Sequence, residues 1–167
     1  MWDTIVIEEP PAVLASEEDI QSFEARMHLV LPADHREFLK TFGEGVVFNH
    51  FRIFGLGKVM AEAKTFQRRW QDYFLWDEPN SALKIDQVGK CVIIGDNFNG
   101  DELAISPDYP GEVFYLPQDK REILRLGPSL ENALTNLVDR LATEIARYPE
   151  DERDEWDLRP VFNRTSF

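Results

Sequence analysis

One cysteine, three histidines and no long apolar run mark this 167-residue chain. A single thiol, Cys91, excludes an internal disulfide and any multi-cysteine metal site. His28, His35 and His50 never fall at the HxxxH or HExxH spacing that puts two imidazoles on one helix face. No segment approaches the roughly 20 consecutive apolar residues of a membrane helix. Basic residues are also scarce. Lys and Arg number 18 against 31 Asp and Glu, which leaves a net charge of −13. Nucleic acid and anionic membranes repel such a chain, and basic proteins attract it. The first residues lack the basic and apolar regions of a signal peptide, so a cytoplasmic location is expected. Asn163-Arg164-Thr165 fits the glycosylation pattern, and without a secretory signal it is read as chance.

Catalytic signatures are missing as well. No serine stands in a GxSxG elbow. Gly55-x-Gly57 resembles a dinucleotide loop, but its third position is Met60, where close packing needs a small residue. GxxxxGK[S/T] is absent, so Lys58 does not make a phosphate loop. The run Asp96 to Asp101 has the look of a calcium loop. Aligning Gly100 with the loop glycine puts Gly95 and Ser106 where carboxylates are required, and the turn reading is preferred. Cys91 opens an apolar strand with only Lys90 as a basic neighbour, and is read as a buried structural thiol. Among the many acids no pair stands out for acid–base work. The expectation is therefore a non-enzyme, with no catalytic residue, no metal and no cofactor.

What is present is a foldable core. Hydrophobic residues make up 43% and aromatics 12% of the chain, enough for one domain and too little length for two. Residues 91–94 read as a buried β-branched strand, and 96–100 as turn chemistry built on Asn99-Gly100. Residues 102–105 alternate like a strand with one wet face. Strands over 112–116 and 123–126 follow, so 91–126 forms a meander. Shorter strand candidates lie at 46–48 and 51–54.

Helices are expected around that sheet. Ser16 can cap a first helix, with Asp19 answering it and Ile20, Phe23 and Met27 as its stripe. Pro32 starts a second, with His35, Phe38, Leu39 and Phe42 on one face, ended by Gly43 and Gly45. A third runs from Lys58 with Val59, Ala63, Phe66 and Trp70, then Tyr73 or Phe74. The last carries Leu130, Leu134, Leu137, Leu141 and Ile145. The organisation expected is an extended lead-in over 1–15 with Trp2, Ile5 and Ile7 as anchors, one α+β domain over 16–148 with about four helices on a mostly antiparallel sheet, and an acidic tail over 149–167.

Two stretches carry a family resemblance. Leu31-Pro32-Ala33-Asp34-His35-Arg36-Glu37-Phe38-Leu39, followed by Gly43-Glu44-Gly45, resembles the LP-x-D-Y-x-x-F-L … N-G-G segment of the SUKH superfamily. Ile94-Gly95-Asp96, Asn99-Gly100-Asp101-Glu102-Leu103 and Gly111-Glu112-Val113 resemble its I-G … G-D-x-[IL] … G-x-V segment. His35 stands where tyrosine is common, and Glu44 where glycine or asparagine is usual. The superfamily includes a yeast cell-wall assembly regulator of the Smi/Knr type and many bacterial immunity proteins. The resemblance implies an α+β fold, no catalysis and a protein partner. For an immunity protein that partner is a toxin, and a basic nuclease domain suits an acidic chain; the alternative is a regulatory or scaffolding module that binds a cellular protein.

Exposure and charge select two candidate contact patches. One is the hairpin tip, Asp96, Asn97, Phe98 and Asn99, with Glu102 beside it. The other is the aromatic and acidic stretch Trp70, Tyr73, Trp76, Asp77 and Glu78.

Overall fold

The computed structural model describes residues 2–9, 13–72, 76–153 and 156–164. Among them are six helices and an eight-stranded sheet. The strands are β1 (Val6–Ile7), β2 (Gly45–Val47), β3 (Phe51–Ile53), β4 (Val92–Asn97), β5 (Glu102–Ser106), β6 (Tyr109–Leu116), β7 (Leu124–Gly127) and β8 (Val161–Asn163). Their spatial order is β1-β8-β2-β3-β4-β5-β6-β7. Every neighbouring pair is antiparallel except β1 with β8. The fold class is α+β, and the meander from β4 to β7 is in place.

The helices are α1 (Glu17–Met27), α2 (Ala33–Thr41), α3 (Leu56–Asp72), α5 (Leu130–Ile145) and two single turns, α4 (Ile85–Val88) and α6 (Glu150–Arg153). Neither single turn is long enough to leave a periodic signal, and neither was expected. At α1 the cap is reciprocal: Asp19 N–H donates to Ser16 Oγ at 3.1 Å, and Ser16 N–H donates to Asp19 Oδ2 at 2.9 Å. His28, left-handed at φ 53°, ends that helix. Glu44 has a structural task that its motif position did not reveal: its carboxylate accepts the Gly55 N–H at 3.1 Å, at the start of α3. All four expected core positions of α3, Val59, Ala63, Phe66 and Trp70, are buried.

Three sequence readings need correction. Strand β5 has no wet face, because all five of its residues are buried. Arg69 of α3 reaches Glu102 on one face, while Tyr115, which shares a face with Leu103, turns to the α5 side. A sheet covered on both faces hides the period-2 signal. The β4–β5 turn spans the four residues 98–101, of which Gly100 alone has positive φ (90°) and Asn99 does not. Of the lead-in anchors, Trp2 packs on Phe38 with ring centroids 5.1 Å apart and Ile5 is buried, but Ile7 is exposed.

The two ends of the chain meet in the sheet. Val6–Ile7 from the lead-in and Val161–Asn163 from the tail pair in parallel, and β8 then pairs with β2. Phe162 is fully buried against Phe42, at 5.4 Å between rings.

Candidate functional site

The β4–β5 turn is braced from within. Asn97 Oδ1 accepts the backbone N–H groups of Asn99 and Asp101 at 2.9 and 3.0 Å. Asp101 takes the Asn97 amide at 2.8 Å, the Gln118 N–H at 2.7 Å and the Tyr115 hydroxyl. Asp101 thus bonds back to its own turn. Burial, reinforced by the Asp101 carboxylate, raises the Tyr115 phenol above the usual tyrosine range. Phe98 stands at the apex, 57% exposed. Beneath it the Arg52 guanidinium lies 5.1 Å from the ring and forks onto Asp96. An aromatic side chain on a turn this well bonded loses little freedom on contact with a partner.

The second patch divides into floor and surface. Trp70 and Trp76 are buried, with ring centroids 4.4 Å apart, and the Trp76 indole N–H donates to the Pro117 carbonyl at 3.0 Å. Both rings lie in the core, beneath the surface that the sequence reading placed them on. Asp77 and Glu78 are exposed; Asp77 pairs with exposed Arg121, and the Glu78 N–H donates to the Arg121 carbonyl at 3.3 Å. Tyr73, with Phe74, lies outside the described residues.

Glu102 and Asn97 are likewise buried. Glu102 is paired to Arg69, whose guanidinium also lies 4.8 Å from the Trp70 ring. Burial pushes the Glu102 carboxyl above the usual carboxylate range, and Arg69 offsets part of this. The Trp70 indole N–H acts on this carboxylate in the same direction as Arg69. These contacts do what spacing along the chain could not foretell: they join the two patches at one end of the sheet. Arg69 links α3 to the hairpin, Gln118 links the hairpin to the β6–β7 loop, and Arg121 links that loop to Asp77.

Beside the tip a cleft of about 450 Å³ opens between the hairpin, the β6–β7 loop and α5. Its charged and polar walls include His50, Asp119, Lys120, Arg140 and Glu144, over a floor with Phe51 and Leu137. Burial lowers the His50 imidazole, with Asp101 opposing in part. Sequence reasoning missed these residues, as it missed Arg52 and Arg69, because each comes from a different element and carries no local motif. A second cleft of about 460 Å³ is more apolar, lined by Leu14, Phe23, Leu39, Leu56 and Met60.

Among the described residues no three His, Cys, Asp or Glu side chains gather as a metal would require. Nor is any helix among them long and apolar enough to cross a membrane. Cys91 is buried, and burial pushes its thiol up to about 12.

The class defined by this architecture is an α+β domain, with helices on both faces of one mostly antiparallel sheet and a braced hairpin at one end. The SMI1 / KNR4 family (SUKH-1) matches residues 14–136, well over half of the chain. The chain belongs to that family. Membership accords with a toxin-immunity role or with a Smi1/Knr4-type role. Comparison with curated proteins gives no matching relative.

Proposed function

We propose that the chain is a non-enzymatic, cytoplasmic protein-binding domain of the immunity type, which neutralises a bacterial toxin by occupying its basic substrate groove. A nuclease is the fitting target, because holding a phosphate substrate demands such a groove. The observation that carries this reading is the exposed Phe98 on a rigid turn, set in a family domain with a net charge of −13. Phe98 and Asn99 supply the anchor, Asp96 steadies Arg52 beneath it, and Asp77 and Glu78 supply charge beside it. Asn97, Glu102, Trp70 and Trp76 hold that surface from below. Opposite fields speed the encounter and make it salt-dependent.

A second reading, a regulatory or scaffolding module that binds a cellular protein, draws on the apolar cleft, next to which Val13 and Leu14 are exposed. A pull-down from the source cell with the tagged chain, washed at low and high salt, separates the two. A basic, toxic partner weakened by salt, and lost by the Phe98→Ala variant, supports the immunity reading. A housekeeping partner held equally at both salts and indifferent to Phe98 overturns it in favour of the second.

A further inference from the structure

The family match ends at residue 136, yet the sheet is completed by segments that lie outside it. Strand β8 is inserted between β1 and β2. It runs antiparallel to β2, with Val47 opposite Phe162 and Val46 opposite Asn163, and the Phe48 N–H donates to the Val161 carbonyl at 3.0 Å. Without β8, the β2 edge would present an unpaired row of backbone donors and acceptors, a template for any extended segment.

That edge is shaped for a particular side chain. The Phe162 ring lies 6.2 and 5.4 Å from the rings of Phe38 and Phe42. Gly45 of β2 forms its floor: a Cβ there would stand 2.4 Å from the Phe162 ring. The slot exists because the acceptor strand has no side chain at that point.

A polar clip lies beside the slot. Phe48 and Asn49, in the β2–β3 turn, are both left-handed, at φ 55° and 52°, a region that non-glycine residues resist. Asn49 is bonded to the tail at both ends of its amide. It donates to Asp157 at 2.8 Å and accepts from Asn163 at 2.8 Å. No described residue between 146 and 160 is buried, so apart from surface contacts such as Asp157 with Asn49 and Trp156 with His50 the connector adds nothing to the core.

We propose that the β2 edge is a strand-acceptor groove, which the tail fills in cis as its own ligand. The same groove takes, in trans, an extended segment carrying a β-branched residue, an aromatic and an asparagine in succession. The tether keeps the cis strand at an effective concentration on the order of millimolar, so in the intact chain it outcompetes a free segment. Cutting the tether removes that advantage. The inference is independent of the toxin reading.

The test uses the full chain with a protease site inserted in exposed α6, and a fluorescently labelled peptide of residues 156–164. After cleavage the peptide should enter the folded chain, displace the resident fragment and be competed by unlabelled peptide. The intact chain should take up none at micromolar concentration. A peptide with Phe162→Ala should bind at least about tenfold more weakly, since burial of its ring is lost. Because that change is in the peptide, the acceptor's folding is not at issue. The proposal is overturned if the cut fragment stays bound and no label enters, if its release unfolds the chain, or if the Phe162→Ala peptide binds as well as the parent.

Discussion

The Arg69 guanidinium covers the buried Glu102 carboxylate, and this ion pair joins α3 to the β4–β5 hairpin. Arg69→Ala would leave the carboxylate buried and uncompensated. Fully buried pairs lose about 3–5 kcal/mol on such a change, and partial exposure of Arg69 reduces the expected loss to roughly 2 kcal/mol. Burial already raises the Glu102 carboxyl, and without Arg69 it rises further. The deficit should therefore be largest near and above neutral pH and shrink as acid protonates Glu102. Urea unfolding of wild type and variant between pH 5 and 8, run beside Glu102→Gln in the Arg69→Ala background, checks both the size and the trend.

Trp76 reads as core. Trp76→Ala should cost about 3–5 kcal/mol of stability. Trp76→Phe keeps most of the packing on Trp70 and forfeits the bond to Pro117, for about 1 kcal/mol. Thermal unfolding followed by near-ultraviolet circular dichroism distinguishes this from a contact residue, whose replacement would leave stability alone.

His35 is buried without a hydrogen-bond partner for either ring nitrogen among the described residues, and burial lowers it from 6.5 to about 4. Between those values the unfolded chain binds more protons than the folded one. Stability is full above about pH 6.5 and falls as pH drops toward 4, by about 3 kcal/mol in all. His35→Phe should flatten this limb, whatever it does to the level. Denaturant midpoints from pH 4.5 to 7.5 give the slope, and a slope unchanged in the variant would place the titration elsewhere.

Cys91 should be inert in the native state. With its thiol pushed from 9.0 to about 12, the thiolate fraction at neutral pH falls roughly a thousandfold, before shielding by the strand is counted. A chromogenic disulfide reagent should react only once denaturant opens the sheet. Rapid labelling of the folded chain would contradict the burial of Cys91.

Phe98→Ala should leave folding within about 0.5 kcal/mol of wild type, because most of the ring is in water. Its effect should fall on the partner, by at least about 1 kcal/mol of affinity if it is the anchor proposed. Calorimetric titration against the captured partner measures this directly.

Local patterns in the sequence reached the long helices and the meander. The Ser16–Asp19 cap, the α3 stripe and the leucine face of α5 are short-range signals, and the structure keeps them, except that Leu141 is only half-buried. The motif stretches led to the family, and Asp101 bonds back to its own turn. The candidate patches were legible only in outline. Asp77, Glu78, Phe98 and Asn99 are exposed, whereas Trp70, Trp76, Asn97 and Glu102 are buried. The reason is in each case a partner distant in the chain: Pro117 for Trp76, Arg69 for Glu102, and helices over both faces of β5 where alternation pointed to water on one.

What the chain determines by itself is what short-range physics can write: caps, helical stripes, the glycine that turns the hairpin, and the excess of negative charge. Tertiary structure decides which polar groups go inside and which strands become neighbours. Glu102 enters the interior because Arg69 arrives from α3. Val161–Asn163 becomes an inner strand because β2 offers an open edge and Gly45 leaves room for the Phe162 ring. Neither follows from the residues nearby, since the stabilising partner in each case lies far away along the chain and close only in the fold.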